Sequence, residues 1–230
     1  MLKLNHYSVA YGESTVINNL NLHIARNEIV ALLGRNGMGK STLLKSLIGM
    51  VPPKSGKVEV NGTDVTFLES YRHVENGIAF VPQGRHVFSN LTVEENIRAG
   101  LRIKEHWVQL RTEVYSIFDV LCKMRGRKAG NLSGGQQQQL AIARALVAEP
   151  RVLILDEPTE GIQPSIIKDL ARQINDLKLS KDLAIVVSEQ VLSFTIDIAD
   201  KMYVIESGRF VREDTRGNFD VEKITSYLSV

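Results

Sequence analysis

Apolar and polar residues alternate over the first 24 residues of the chain. Leu2 and Leu4, and later Leu20, Leu22 and Ile24, are each separated by one polar residue. An alternation with period two is typical of a strand that buries one face and exposes the other. The pattern therefore predicts an antiparallel sheet near the N-terminus.

Later segments are apolar at nearly every position, which is typical of strands buried on both faces of a parallel sheet. Between them, apolar residues recur with helical spacing, most clearly from residue 91 to about residue 148. Asn61-Gly62 predicts a two-residue hairpin turn, and Ser207-Gly208 predicts a second hairpin. The predicted buried strands are 28–33, 77–81, 152–155 and 183–187, the late hairpin strands are 201–205 and 209–211, and the predicted helices are 41–50, 92–101, 105–124, 133–148 and 165–179.

This order predicts an α/β fold with one domain over residues 1–230. Residues 1–87 and 149–230 form an α/β core, and residues 88–148 form an inserted helical subdomain that contains the helical stretch. Thr92 before Glu94 and Glu95 predicts a capped helix start.

Charge and composition exclude several classes of protein. The 28 basic and 26 acidic residues are mixed along the chain and give a net charge of +2, so no basic tail favours nucleic acid. The single cysteine, Cys122, is expected to be a small buried side chain in a reducing compartment. We expect neither a signal peptide nor a transmembrane segment, since no apolar stretch approaches the roughly 18–20 residues of a membrane span. Any role at a membrane would then require partner subunits.

The segment Gly34-Arg-Asn-Gly-Met-Gly-Lys40-Ser41 has the form G-x-x-x-x-G-K-S, a loop whose backbone N–H groups surround phosphates. It follows predicted strand 28–33 and leads into predicted helix 41–50, the context that such a loop requires. Lys40 is expected to reach the β- and γ-phosphates, and the Ser41 hydroxyl to coordinate Mg²⁺. The predicted nucleotide-binding residues of this segment are Gly34, Arg35, Asn36, Gly37, Met38, Gly39, Lys40, Ser41 and Thr42.

Two acids end predicted strand 152–155. Asp156 suits a ligand of Mg²⁺ or of its water, and Glu157 suits a general base for an attacking water. A carboxylate at a strand end also occurs as a helix cap or a surface charge. The phosphate-binding loop earlier in the chain favours the functional interpretation.

A second candidate phosphate site begins the predicted helix 133–148. Ser133, Gly134, Gly135 and Gln136 would present free N–H groups and the positive end of a helix dipole to an anion. Two phosphate sites of different design in one chain predict that ATP is held between two copies. In that arrangement these four residues act in trans on the ATP of the other copy.

With these motifs in this order, the chain resembles the ATP-binding cassette (ABC) family over essentially its whole length, and 132–136 matches the family signature. The resemblance implies a P-loop NTPase (RecA-like) core with an N-terminal antiparallel β subdomain and an inserted α-helical subdomain. It also implies ATPase activity with ATP and Mg²⁺. By the same resemblance, Tyr11 stacks on adenine, and Gln83 contacts Mg²⁺ and the attacking water.

One departure from the family pattern concerns the late histidine that contacts the γ-phosphate. Gln190 occupies this place, and none of the five histidines lies beyond His106. Glutamine donates a hydrogen bond but carries no proton near pH 7, so a histidine-centred acid–base scheme is disfavoured. The predicted catalytic residues are Glu157, Gln83 and Gln190, and the predicted metal ligands are Ser41, Gln83 and Asp156.

The Glu-Gln pair at this position and the segment Thr159-Glu-Gly-Ile-Gln-Pro164 resemble ATP-binding subunits of importers for branched-chain amino acids and urea. The motifs are most similar to the urea-type second ATP-binding subunit, so the prediction is a urea importer, with branched-chain amino acids as the alternative. The resemblance implies two multi-span permease subunits, a second ABC ATPase and an extracytoplasmic solute-binding protein, at the cytoplasmic face of a bacterial inner membrane. A heterodimer of ATPases is expected, with a homodimer as the alternative.

Three rival classes remain: an exporter ATPase, a non-transport ABC protein, and a P-loop kinase or GTPase. The missing late histidine counts against an exporter. The lack of a second cassette or basic surface counts against chromosome or translation proteins, whereas iron–sulfur assembly is harder to exclude. A kinase or GTPase would leave 132–136 unexplained.

Overall fold

Two β-sheets organise residues 1–228, the part of the chain that the computed structural model describes. The strands are β1 (Leu2–Tyr11), β2 (Ser14–Ile24), β3 (Ile29–Leu33), β4 (Pro53–Val60), β5 (Thr63–Asp64), β6 (Ile78–Val81), β7 (Val152–Asp156), β8 (Ala184–Glu189), β9 (Lys201–Glu206) and β10 (Arg209–Thr215). The helices are α1 (Lys40–Leu47), α2 (Ser70–Glu75), α3 (Val93–Arg98), α4 (Trp107–Ile117), α5 (Asp119–Lys123), α6 (Gly134–Leu146), α7 (Pro164–Lys181), α8 (Leu192–Ile198) and α9 (Val221–Leu228).

The smaller sheet is antiparallel, in the order β2-β1-β4-β5. Its apolar residues alternate with exposed ones along β2, as the sequence pattern predicts. Val60 pairs with Thr63 across the predicted Asn61-Gly62 turn.

The larger sheet has the order β10-β9-β3-β8-β7-β6. All neighbours in it are parallel except β10, which pairs with β9 as an antiparallel hairpin. Every residue of β3, β7 and β8 is buried, in agreement with their continuous apolar sequences. Because parallel strands end at one edge, the segments that follow β3, β6, β7 and β8 lie along the same edge, where α/β proteins bind ligands.

Within residues 1–228, a small apolar cluster joins β3, β9 and α9, and two larger ones hold these layers together. One fills the space between the two sheets and includes Leu43 and Leu44 of α1. The other lies between the larger sheet and α3 to α8, with the fully buried rings of Phe118 and Phe194 in it. Residues 88–148 contain α3 to α6, which therefore pack on the sheet.

The predicted single helix 105–124 is wrong. The chain forms a 3-10 turn at Lys104–His106, then α4 and α5, with a break at Phe118. Phe118 has φ −118° and ψ 70°, outside the helical region. The break turns its ring into the core, and that burial offsets the lost helical geometry.

The predicted extension of α1 to Met50 is also wrong, because the helix ends at Leu47. Gly49 has φ +72°, and the N–H groups of Gly49 and Met50 donate to Ser46 O and Lys45 O. This is a Schellman ending, in which a left-handed glycine satisfies the last carbonyls. A Cβ at Gly49 would also lie 2.7 Å from the His73 ring.

The predicted cap of α3 is confirmed: Thr92 and Glu95 form a reciprocal capping box. The sequence pattern did not predict α2, α8 or α9, which are short. Among residues 1–228, no helix is both long enough and apolar enough to cross a bilayer.

Candidate active site

The predicted phosphate-binding loop joins β3 to α1 at the edge where the parallel strands end. Gly39 precedes α1 with φ +103°, a conformation that other residues rarely adopt. The carbonyl of Met38 accepts from the Gly208 N–H (3.2 Å), which ties the loop to the β9–β10 turn. The loop is thus fixed to the β9–β10 turn through Met38, and the interior of the loop faces the cavity described below.

Lys40 lies inside this loop and is only 4% exposed. Its Nζ donates to Gly34 O (2.6 Å) and Arg35 O (3.1 Å) and lies 3.8 Å from Glu157 Oε1. Burial lowers the pKa of the ammonium, and the negative charges of nearby carboxylates, that of Glu157 first, oppose the shift. A phosphate entering the loop would offer this ammonium a better partner than the two carbonyls.

The Ser41 hydroxyl donates to Asp156 Oδ1 at 3.3 Å. Asp156 ends β7 and is buried, and that burial raises the pKa of its carboxyl group. A hydroxyl and a carboxylate suit Mg²⁺, which binds few protein oxygens and keeps waters and phosphate oxygens as its other ligands. Residues 1–228 contain no cluster of three or more His, Cys, Asp or Glu able to hold a metal.

The Glu157 carboxylate accepts hydrogen bonds from two other predicted catalytic residues, Gln83 and Gln190. Its Oε1 accepts from Gln190 Nε2 (2.9 Å) and its Oε2 from Gln83 Nε2 (3.3 Å). Gln190 Nε2 also donates to Asn36 Oδ1 (2.9 Å), so the segment after β8 contacts the phosphate-binding loop. Residues that follow β3, β6, β7 and β8 are thereby brought together around one carboxylate.

The backbone of Glu157 has φ +46°, which is unusual for a residue with a side chain. Its N–H donates to Ser188 O (2.9 Å), so a bond to β8 holds the residue in this conformation. Such outliers concentrate at functional sites.

A cavity of about 160 Å³ lies between these groups. Tyr11, predicted to stack on adenine, lies outside this lining at the end of β1, with 52% of its surface exposed. Val16, on β2, lines the cavity but was not predicted, since it reads as an ordinary strand residue. The lining residues are Val16, Asn36, Gly37, Gly39, Lys40, Ser41, Thr42, Gln83 and Glu157.

The second predicted phosphate site lies elsewhere in the chain. Ser133 caps α6, accepting from Gln136 N at 3.4 Å while Gln136 Oε1 accepts from Ser133 N at 3.0 Å. Ser133, Gly135 and Gln136 line a different cavity, of about 400 Å³, together with residues of α5 and α7. One chain therefore does not bring these residues to the phosphate-binding loop.

Glu189, the last residue of β8, is a site neighbour that sequence reasoning missed. It is 2% exposed, and its carboxylate accepts four hydrogen bonds from Thr159, Gln190 and Val191. An acid at the end of an apolar run was the available signal, the same signal that identified Asp156 and Glu157.

The fold and this constellation define a P-loop ATPase. The sequence profile of the family described as "ABC transporter" matches residues 17–160. The chain belongs to the ABC transporter family, and it is an ATP-binding cassette with the ATPase activity of that family.

Two relatives illustrate the similarity in sequence. The chain is 38% identical to the high-affinity branched-chain amino acid transport ATP-binding protein BraG of Pseudomonas aeruginosa, over 94% of this chain and 93% of that protein. It is also 38% identical to the probable branched-chain amino acid transport ATP-binding protein LivF of Archaeoglobus fulgidus, over 91% and 89% of the two chains.

Solved structures confirm the predicted fold class. A nucleotide-free ATP-binding cassette from an ABC transporter superposes with a TM-score of 0.87 at 24% identity, covering 100% of this chain and 95% of that one. A dimeric ATP-binding cassette in a post-hydrolysis state, bound to ADP and Pi, superposes with a TM-score of 0.82 at 25% identity, covering 95% and 100%.

Proposed function

We propose that this chain is the ATP-hydrolysing subunit of an importer for branched-chain amino acids. The observation that carries the catalytic part is the position of Glu157, which contacts Gln83 and Gln190 and lies 3.8 Å from the Lys40 ammonium. A carboxylate so placed beside a phosphate-binding loop is arranged to act on a water that attacks the γ-phosphate.

In the proposed mechanism, Glu157 accepts a proton from that water, and the water oxygen bonds to the γ-phosphorus. The bond between the γ-phosphorus and the β–γ bridging oxygen breaks, and ADP leaves. Gln83 and Gln190 orient the carboxylate through their amide N–H groups. Gln190 takes no proton, so Glu157 is the base. Lys40 stabilises the charge that develops on the phosphates.

Ser41 and Asp156 would hold Mg²⁺, with Gln83 as the further predicted ligand. The ion would neutralise charge on the β- and γ-phosphates. The hydroxyl–carboxylate contact between Ser41 and Asp156 supports this assignment.

The separation of the two phosphate sites supports a dimer that closes head to tail around two ATP molecules. Ser133 to Gln136 of each subunit would contact the ATP held by the other subunit's phosphate-binding loop, with Tyr11 stacked on the adenine. The dimeric cassette with ADP and Pi to which this chain is similar supports that arrangement. We propose a second ABC ATPase as the partner, with a homodimer as the alternative.

A groove of about 320 Å³ beside β6, the strand that precedes Gln83, supports contact with permease subunits. Val74, Phe80, Phe88 and Arg144 are among its lining residues, and the Arg144 guanidinium lies 5.0 Å from the centre of the Phe88 ring. His86 and Phe88 of its lining belong to residues 83–96, the surface that we propose for two multi-span permease subunits. The chain would thereby be peripheral, at the cytoplasmic face of the membrane.

The relatives support branched-chain amino acids over urea as the solute. Both relatives described above are branched-chain amino acid transport proteins by name, and they align over nearly the whole chain. Urea, which the short motifs favoured, has no support from them. An extracytoplasmic solute-binding protein would make the actual selection.

Copurification tests the assembly. We expect the tagged chain, isolated from its host in mild detergent, to carry two multi-span permease subunits and a second ATPase, identified by mass. Recovery of soluble partners alone would overturn the transport role while leaving the ATPase standing.

Uptake tests the solute. In cells that lack the chain, we expect uptake of radiolabelled leucine, and not of urea, to be lost. Wild-type protein and Glu222→Gln, an exposed change on α9, should restore leucine uptake, and Glu157→Gln should not. Loss of urea uptake with leucine uptake intact would reverse the assignment of the solute.

A further inference from the structure

We infer that Glu189 is a positioning residue for ATP hydrolysis, because its buried carboxylate joins the loop after Glu157 to the segment that carries Gln190. This inference rests on the proposed roles of Glu157 and Gln190 and adds the group that holds them in register.

One oxygen of the Glu189 carboxylate binds the loop after Glu157, and the other binds the segment that begins at Gln190. Oε1 accepts from the Thr159 N–H (3.0 Å) and from the Thr159 hydroxyl. Oε2 accepts from the N–H groups of Gln190 (2.7 Å) and Val191 (3.1 Å). Two separate loops are thus fixed to one rigid group at the end of β8.

All four donors are neutral, and no salt bridge to Glu189 occurs in residues 1–228. A carboxylate at 2% exposure is stabilised by these hydrogen bonds and by the charge of the nearby Lys40 ammonium, with which it forms no ion pair. In Glu189→Gln, the side chain would keep one acceptor oxygen, and its NH₂ group would face backbone N–H groups, which are also donors. Either Thr159 or the 190–191 segment would then lose its partner.

Both loops lead directly to the reacting groups. Thr159 is two residues beyond Glu157, whose left-handed backbone depends on its surroundings. The Gln190 side chain donates to Glu157 Oε1 and Asn36 Oδ1, both at 2.9 Å. Releasing either loop from Glu189 would change the angle at which Gln190 meets the Glu157 carboxylate, and with it the contact of Gln190 with Asn36.

The first measurement is single-turnover hydrolysis of ATP by the complex isolated with the tagged chain, in excess over ATP, alongside nucleotide affinity. We expect Glu189→Gln to slow hydrolysis at least about tenfold, since small misplacements of catalytic groups have effects of this order. Nucleotide affinity should stay within about twofold of wild type. Glu222→Gln removes the same charge from an exposed helix and should behave as wild type. An unchanged hydrolysis rate in Glu189→Gln would overturn the inference.

A double-mutant cycle separates positioning from general stability. If Glu189 acts through Gln190, Glu189→Gln should have little further effect in a Gln190→Ala background. Thr159→Val keeps the shape of the side chain and removes the hydroxyl that donates to Glu189. It should give a smaller loss of hydrolysis rate, which should likewise largely disappear in the Gln190→Ala background. This variant replaces Glu189→Gln if that protein folds poorly. An equal loss in both backgrounds would make Glu189 merely structural and leave the proposed function intact. Wild-type hydrolysis by Gln190→Ala itself would overturn both this inference and the proposed role of Gln190.

Discussion

At the scale of single residues, the candidate site is organised by hydrogen bonds to one carboxylate. Glu157 accepts from the amides of Gln83 and Gln190 through different oxygens. Amide donors orient a carboxylate and cannot accept a proton themselves, whereas a neutral histidine could. The glutamine at 190 therefore supports the proposal that Glu157 accepts the proton.

Replacing Glu157 by Gln tests this assignment. We expect ATP binding to persist and turnover to fall at least ~100-fold, the lower end of what a positioned base contributes. The measurement is steady-state phosphate release with nucleotide affinity determined in parallel. Glu160→Gln, an exposed change three positions along, is the control. Near-wild-type turnover would remove Glu157 from the mechanism.

Lys40→Ala tests the phosphate-binding loop. The ammonium is buried against two carbonyls and near Glu157, so its removal deletes the main positive charge that awaits the phosphates. We expect tight ATP binding to be lost in equilibrium titration. Lys45→Ala, which removes an exposed lysine from the same helix, should bind normally. Unchanged affinity of Lys40→Ala would contradict the assignment of the loop.

Motif residues of this site were predictable from sequence because their chemistry demands particular side chains in order. Lys40, Asp156 and Glu157 fall into that class. Val16 was not found, since it reaches the site only because the fold brings β2 beside the phosphate-binding loop. Glu189 was missed although it carries a local signal, an acid at the end of an apolar run. A residue whose role is defined by a short motif can therefore be predicted from sequence, whereas a residue that enters the site through the fold cannot.

At the scale of elements, two helices begin with the same device. Ser133 with Gln136 caps α6, and Thr92 with Glu95 caps α3. Only α6 is proposed to direct its N-terminus at the ATP of a partner subunit. The second cap is therefore an internal control for the first.

We expect Ser133→Ala and Thr92→Ala each to lower the free energy of unfolding by about 1 kcal/mol, a common cost of losing a cap. Only Ser133→Ala should also weaken ATP-dependent dimerisation and hydrolysis. Chemical denaturation measures the free energy of unfolding. Light scattering with and without ATP measures dimerisation, and phosphate release measures hydrolysis. Equal dimerisation by the two variants would exclude Ser133 from the ATP site.

Element prediction succeeded where burial is uniform and failed where packing breaks a local pattern. The apolar sequences of β3, β7 and β8 admit few other structures once buried on both faces. The break at Phe118 follows from where its ring packs, which helical spacing does not encode. The short helix α2 likewise depends on contacts with α1 rather than on its own sequence.

At the scale of the whole molecule, a buried histidine joins two parts of the core. His73 of α2 is fully buried, with Nδ1 3.0 Å from Leu47 O and Nε2 3.2 Å from Leu68 O. It lies beside Gly49, where α1 ends. Protonation of this ring would place a charge between the end of α1 and the loop before α2.

Burial lowers the pKa of His73, although its contacts with the two carbonyls oppose the shift. The unfolded chain, with a histidine pKa near 6.5, then binds the proton more readily than the folded chain. Linkage requires the contribution of His73 to stability to be complete above about pH 6.5 and to diminish as the pH falls toward the lowered folded value.

We therefore expect the free energy of unfolding to fall more steeply in wild type than in His73→Gln as the pH decreases below about 6.5. Burial also raises the pKa of Asp156, which acts with the opposite sign, so the comparison is the difference between variants rather than the wild-type curve alone. His23→Gln, an exposed change on β2, should follow the wild-type curve. Urea denaturation at several pH values measures all three proteins. Parallel curves for wild type and His73→Gln would show that the buried ring does not titrate on unfolding in this range, and the acid sensitivity would then belong to other groups.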